Sequence, residues 1–503
     1  MVTSGGSGAR FFAHLLTRPH PRSPFRGVPP PGPAPRVAAP RGPWCLSGGM
    51  AHSPARMSPS STAAARGASP PSSPVAVQAR SPRLGAAQAV AGDAPAAPKI
   101  LRLAAVGDVH GQWDDADETA LASLGADLAL FVGDFGEENV PLVQKIAAVD
   151  HRKAVILGNH DAWYTATTGG VARRERRRAQ GVAAFADPSG GKDSVKRQLD
   201  ALGRSHVGYG AMQCKDLGLT VLGGRPFSRG GGPAGGRWEQ ERDFLEATYG
   251  VRDHDASAKK MLTTYLEQPL DAPVVLLAHN GPSGMGTMHH SICGKDFDPD
   301  GGDWGDPDAE MLLDRLGESP DLGRRWCPLM VFGHMHGTLQ KGRGERRMVE
   351  IHRASGTVLL NTAVVPRHRK PQDVSESAAA AVEATGRAEA LAGSVLRNFT
   401  VVELRDSVVT KIEQVWVAVW EARSDDGNGG SGGDAGASVV ARVPLLSLQG
   451  VSPGQATGEP ARGLQAGPRG TADYHVWCCN NSEWEVTTGS VPAHVAARAP
   501  QTA

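Results

Sequence analysis

The stretch Ile100-Leu101-Arg102-Leu103-Ala104-Ala105-Val106-Gly107-Asp108-Val109-His110 decides the fold. A mostly apolar run of strand length ends in a glycine and two polar side chains. Two further runs repeat the arrangement. Leu128-Ala129-Leu130-Phe131-Val132 ends in Gly133-Asp134, and Ala154-Val155-Ile156-Leu157 ends in Gly158-Asn159-His160-Asp161. The intervening segments, about 115–124 and 140–149, have helical character. Strand, helix, strand, helix, strand is an α/β organisation. Open α/β sheets place their sites just past the carboxyl ends of the strands, where the polar residues fall here.

Strand character returns further on. It is predicted at 219–222, at 274–277 ending in Ala278-His279-Asn280, at 329–332 ending in Gly333-His334-Met335-His336, and at 358–360. Segments 399–404 and 408–417 alternate like a hairpin, and 256–267 reads as a helix. The Ala/Glu-rich interval 374–392 is expected to be an inserted helix or a disordered loop. Beyond residue 422 the composition turns Gly/Ser/Asp-rich and reads as linker. Trp477-Cys478-Cys479 and Trp484 in that tail are apolar enough to dock back. The expected division is therefore 1–98, a folded 99–420, and a low-complexity linker and tail over 421–503.

Composition bounds the function. Residues 1–98 hold ten Arg, no Lys, one acidic residue and eighteen of the 37 prolines. Such a segment cannot bury enough apolar surface to order itself. Arg-rich, Ser/Ala-rich, acid-poor composition reads as an organelle transit peptide, chloroplast first and mitochondrion second. Without that leader the chain carries 43 basic and 51 acidic residues, a formal charge of −8 in place of +1. An acidic body is a poor partner for nucleic-acid phosphates. No apolar run reaches the length of a membrane span. The six cysteines are scattered and lack CxxC spacing, so they form no disulfide framework.

Taken singly, Asp108-Val109-His110 and Gly133-Asp134 are ordinary strand-end turns, and a lone His279 is more often a satisfied histidine than a ligand. Their joint order is different: DxH, GD, GNHD, H, GHxH, each after an apolar run. This order resembles the calcineurin-like metallophosphoesterase superfamily over roughly Lys99 to Trp420. The stretches Gly223-Gly224-Arg225-Pro226-Phe227-Ser228 and His279-Asn280-Gly281-Pro282 resemble a plant and cyanobacterial branch of it.

The resemblance implies a four-layer α/β/β/α sandwich holding two divalent metal ions. Asp134 would bridge them. Asp108, His110 and His336 would complete one ion, and Asn159, His279 and His334 the other. Mixed nitrogen and oxygen donors suit Mn, Fe or Zn. The implied reaction is hydrolysis of a phosphomonoester or phosphodiester by metal-activated water. His160 would protonate the leaving oxygen, with Asp161 orienting its imidazole. Asn159 and Arg225 are the expected substrate contacts, Arg225 as a bidentate phosphate donor.

Departures from relatives narrow this. Gly107-Asp108-Val109-His110-Gly111 resembles the first motif of the Ser/Thr protein phosphatases. However, Gly133-Asp134-Phe135-Gly136-Glu137 lacks their Asp-Arg-Gly, and Asp161 replaces their Glu. Glu137 stands where purple acid phosphatases carry a tyrosine ligand, which argues against an iron–tyrosinate pair. Two alternatives remain open at this point: a catalytically idle metal-binding or interaction protein on the same fold, and a nucleotide or nucleic-acid phosphodiesterase.

Overall fold

A computed structural model of the chain describes residues 100–181, 194–231, 238–270, 272–318, 325–384, 395–420, 436–452, 469–478 and 482–497. The expected leader (1–98), residues 385–392 and the first part of the expected linker (421–435) lie outside the described residues.

Strands β1 (Ile100–Val106), β2 (Leu128–Phe131) and β3 (Lys153–Val155) run parallel, in that order. Their near-continuous apolar sequence follows from burial on both faces. Leu101, Leu103, Leu128 and Leu130 point into one cluster, while Ala104, Val106, Ala129 and Phe131 point into another. The crossover helices Asp115–Ser123 and Val140–Ala148 cover the second face. The first begins in a capping box, Asp114 accepting from the Asp117 backbone and Asp117 from that of Asp114. The second is capped by Asn139, with a proline in its first turn.

The second sheet contains β4 (Ala211–Cys214), β5 (Leu219–Gly223), β6 (Val274–Leu277), β7 (Leu329–Phe332), β8 (Val349–Ile351) and β9 (Val358–Asn361). Its order is β4-β5-β6-β7-β9-β8, with the four inner strands parallel and both edges antiparallel. Val221, Leu277, Val331 and Leu360 meet Leu103, Leu130 and Ile156 of the first sheet. On the other face, helices Trp238–Tyr249, His254–Leu266 and Pro307–Glu318 pack against Leu222, Leu276, Met330 and Leu359. The layers are thus helix, sheet, sheet, helix.

The first sheet continues through β11 (Leu396–Arg405), antiparallel to β1, with β10 (His368–Arg369) paired beside it. A two-residue turn, Asp406-Ser407, has positive φ at both positions and leads into β12 (Val408–Trp420). That is the backbone geometry a tight hairpin needs.

For the described residues from 436 onward, the expected linker and tail gives way to strands. Strands β13 (Gly436–Ser452), β14 (Arg469–Cys478) and β15 (Glu483–Pro492) extend the same sheet, each antiparallel to the one before. Leu446, Tyr474, Val476 and Val491 enter the core between the sheets. Trp477 packs against that core, whereas Trp484 meets it edge to face at 5.5 Å and stays exposed. Within 374–392, the interval left open between helix and loop, Glu376–Ala384 is a helix. The four described cysteines, Cys214, Cys293, Cys327 and Cys478, are free and buried. No helix among the described residues is long and apolar enough to cross a membrane.

A buried ionic junction ties the first helix to the distant β11. Asp117 receives Arg367 Nη1 at 2.5 Å and lies 3.0 Å from His368 Nε2 and 3.5 Å from Arg397 Nε. Burial pushes the Asp117 carboxyl up, but Arg367 and His368 outweigh it and hold the group far below the usual range. Its contribution to stability is therefore complete above the unfolded value near 4 and declines as pH falls below it. Asp117→Ala leaves the buried Arg367 guanidinium without its carboxylate, while Arg397 keeps Asp114 at 3.0 Å, and is expected to cost about 3 kcal/mol or more. Urea unfolding at pH 7 measures this; a loss under 1 kcal/mol would mean that the junction is not stabilising.

Candidate metal centre

Five strand ends converge on one place. Asp108 and His110 follow β1, Asp134 follows β2, Asn159, His160 and Asp161 follow β3, His279 follows β6, and His334 and His336 follow β7. His110, Asp134 and His334 have φ of 43°, 52° and 68°. Non-glycine residues adopt this left-handed conformation uncommonly, at a cost of about 1–3 kcal/mol each. Here it turns the chain sharply at the strand end and keeps the side chain over the sheet edge. Two glycines make room for the cluster. A Cβ on Gly158 would stand 2.3 Å from Asp134 Oδ1 and 2.5 Å from His279 Cε1, and one on Gly333 would stand 2.2 Å from Asp108 Oδ1.

Three donor groups overlap here, and one of them, His110, Asp134 and His160, includes the histidine at the rim. Asp108, His110 and His336 present ligand atoms within 4.8 Å of one another, and so do Asp134, His279 and His334. Asp134 joins the groups: its Oδ1 is 3.4 Å from His279 Nε2 and its Oδ2 is 3.9 Å from His110 Nε2. His336 Nε2 stands 3.4 Å from Asp108 Oδ2 and 3.2 Å from His110 Nε2. Asn159 Oδ1 lies 2.9 Å from His279 Nε2.

The tautomer of His279 bears on what fits between these groups. Its Nδ1 is 2.7 Å from the Val132 carbonyl oxygen, which can only accept, so Nδ1 carries the proton and donates it. In the neutral ring Nε2 then presents a lone pair to two oxygens, those of Asn159 and Asp134. Three electron-rich atoms facing one another are what a cation relieves, and the second-ring-nitrogen bond is the usual way a ligating histidine is oriented. The donor set therefore fits divalent metal ions.

Ionisation agrees with that fit. Burial drives His334 well below the ordinary histidine value and lowers His110 as well, leaving neutral ligand nitrogens. Burial pushes Asp108 and Asp134 up, but the surrounding histidines outweigh it and keep both carboxyls below their usual value.

His160 lies at the rim of the cluster. Its backbone N–H donates to Asp134 Oδ1 at 2.9 Å, and its ring stacks on Trp163 at 5.5 Å and 15°. The expectation that Asp161 orients the imidazole is corrected. Asp161 is fully buried and accepts from the Phe135 N–H at 2.9 Å and the Gly158 N–H at 2.8 Å. It clamps the β2 and β3 loops together. Burial and then the Asp134 charge raise its carboxyl well above the ordinary value. Trp163 stacks on the ring of His160, and His110 meets that ring edge to face at 5.2 Å.

A cleft of about 300 Å³ opens over the cluster, lined by Asp134, Asn159, His160, His334 and His336 on one part and by Trp163, Arg229, Asp296, Phe297 and Trp304 on another. Arg225 is not in it, which corrects its expected phosphate contact. Its guanidinium is 3% exposed and ion-paired with Asp306 at 2.7 Å, Asp308 at 3.0 Å and Glu241 at 3.6 Å. The arginine of this glycine-rich loop that reaches the cleft is Arg229. Its guanidinium lies 4.4 Å from the Trp163 ring centroid and donates to Gln240 at 2.8 Å. The aromatic lining of the cleft carries no sequence motif and was not anticipated.

Residues 101–338 match the family model of the calcineurin-like phosphoesterases. The chain carries a calcineurin-like phosphoesterase domain over these residues, and the last eight described strands, β8 to β15, lie beyond them. A solved crystal structure aligns with 54% of this chain and 93% of its own, at 11% identity and a TM-score of 0.31. No curated protein matches the chain significantly.

Proposed function

We propose that the chain is a phosphoric ester hydrolase with a dinuclear metal centre. The observation that carries this is the pair of donor groups joined through the single carboxylate of Asp134. Asp108, His110, His336 and Asp134 would hold one ion, and Asp134, Asn159, His279 and His334 the other. When bound, such a pair polarises the ester and makes water acidic enough to ionise near neutral pH. Mn, Fe and Zn all suit the donors.

The chain's own residues supply the rest. The paired carboxylates Asp108 and Asp134 set the charge of the floor, and His110 and His334, both lowered by burial, add donors without adding charge. His160, stacked on Trp163 at the cleft, donates a proton to the leaving oxygen. Arg229 places a permanent positive charge in the same cleft, where a phosphoryl oxygen would sit. Asp161 keeps the β2 and β3 loops in register, so that Asp134 and Asn159 stay aimed at one point.

The test uses the full chain loaded with Mn²⁺ and assayed on an aryl phosphate and a bis(aryl) phosphate. Turnover of either ester that disappears with chelator supports the reading, and the ratio of the two rates assigns mono- or diesterase. Stoichiometric metal binding with no turnover of either ester would instead support an idle metal-binding protein.

A further inference from the structure

The cleft over the ligand cluster is lined unlike a site for a small, wholly polar ester. Three of its side chains are large aromatic rings, Trp163, Phe297 and Trp304. Trp163 is engaged by His160 and Arg229. Phe297 differs: it meets Trp304 edge to face at 5.1 Å and 86°, yet 40% of its surface stays open.

The segment bearing these two rings is fastened without help from any ligand. The Trp304 N–H donates to the Cys293 carbonyl at 2.9 Å, and the Trp304 carbonyl accepts from the Asn280 side chain at 2.8 Å. Asn280 follows His279, so the aromatic wall is indexed directly to the ligand cluster. Lys295 stands 5.6 Å over the Trp304 ring and pairs with Asp298 at 2.8 Å. A preformed pocket that combines apolar rings with a few convergent polar groups is how proteins select a small organic ligand.

Building on the phosphoesterase reading, we infer that this cleft selects phosphate esters carrying a planar aromatic ring, aryl or nucleobase, with Phe297 and Trp304 as its stacking surface. Offset stacking on an open ring face accepts any flat ring and rejects an alkyl chain of similar size only modestly. In the reaction, water adds across the P–O bond: its OH goes to phosphorus and its proton to the oxygen of the departing alcohol. Phe297 and Trp304 bind the ring, and they take no part in the proton transfer.

Binding tests this apart from catalysis. Phenylphosphonate and propylphosphonate, neither hydrolysable at phosphorus–carbon, are titrated into the full chain and followed by calorimetry. Adenosine 5′-monophosphate and ribose 5-phosphate repeat the comparison with a nucleobase. Phe297→Ala is expected to weaken whichever aromatic ligand the wild type prefers by about 3- to 10-fold. It should leave the matched alkyl or sugar ligand within about two-fold, and Phe297→Tyr should restore the preference. Because Phe297 is exposed, an unchanged Tm confirms that the variant is folded. If the preference is present but no ester is turned over, the cleft assignment stands and the hydrolase reading fails. Equal loss for aromatic and alkyl ligands, or no aromatic preference in the wild type, would overturn the inference.

Discussion

His160→Gln and Asp134→Asn are expected to abolish turnover by different routes. The His160 ring sits at the cleft rim, stacked on Trp163, with a ring nitrogen within 4.8 Å of donor atoms of His110 and Asp134. Replacing it removes a proton donor but no shared ligand. The expectation is a loss in kcat of about 10²–10⁴-fold with metal content unchanged. The loss should shrink for esters whose leaving group is a weak base, because such a group departs without protonation. Asp134→Asn removes the one charge common to both donor groups. Metal content should fall together with activity, with kcat/KM down by about 10³-fold or more, corresponding to roughly 4 kcal/mol of lost transition-state stabilisation. Metal analysis beside steady-state kinetics separates the two. A His160→Gln chain that loses its metal, or keeps full kcat, would remove His160 from the proton-transfer role.

Arg225→Ala is expected to unfold the chain rather than weaken substrate binding. The guanidinium is enclosed by Asp306, Asp308 and Glu241 and lies 5.0 Å from the Trp238 ring centroid. Burial would lower the arginine, but the three carboxylates outweigh it and raise it further. Burial pushes Asp306 up against the pull of Arg225, with Asp308 adding to it, to about 6. Removing Arg225 leaves the buried Asp306 and Asp308 facing each other without a guanidinium, while Arg229 stays 3.8 Å from Glu241, a loss of about 3–5 kcal/mol. Asp306 also accepts from Ser228 at 2.6 Å and from Asn280 at 3.2 Å. The glycine-rich loop and the residue beside His279 therefore loosen together. Urea unfolding should show the whole effect, while KM of the remaining folded fraction stays near wild type. A raised KM with unchanged stability would return Arg225 to the substrate.

How much of this was legible follows from the physics of each element. The polar clusters stood out because a strand buried on both faces writes a continuous apolar run, and the first polar residues after it mark the sheet edge. Asp108, His110, Asp134, Asn159, His279, His334 and His336 are all of that kind, and the structure brings them together. Arg225 and Arg229 could not be told apart, since both lie in one glycine-rich loop. What separates them is Asp306 and Asp308, some eighty residues away and brought near by the crossover after β6. The role of Asp161 was misread for a related reason: its partners are backbone N–H groups, which no side-chain motif records. Strand β13 was hidden because Pro444 and Gly450 fall beside register shifts that break its alternation. Phe297 and Trp304 belong to an irregular loop whose placement depends on Asn280 and Cys293, so only the folded chain shows that they face the ligand cluster.

The central claim is that Asp134 unites two metal sites into one hydrolytic centre. Chelator-stripped full-length chain titrated with Mn²⁺, with bound metal and aryl phosphate hydrolysis read from the same samples, tests it most directly. The account predicts that hydrolysis rises with bound metal and levels off at two ions per chain. Saturation of activity at one ion per chain, or two bound ions with no hydrolysis, would contradict it.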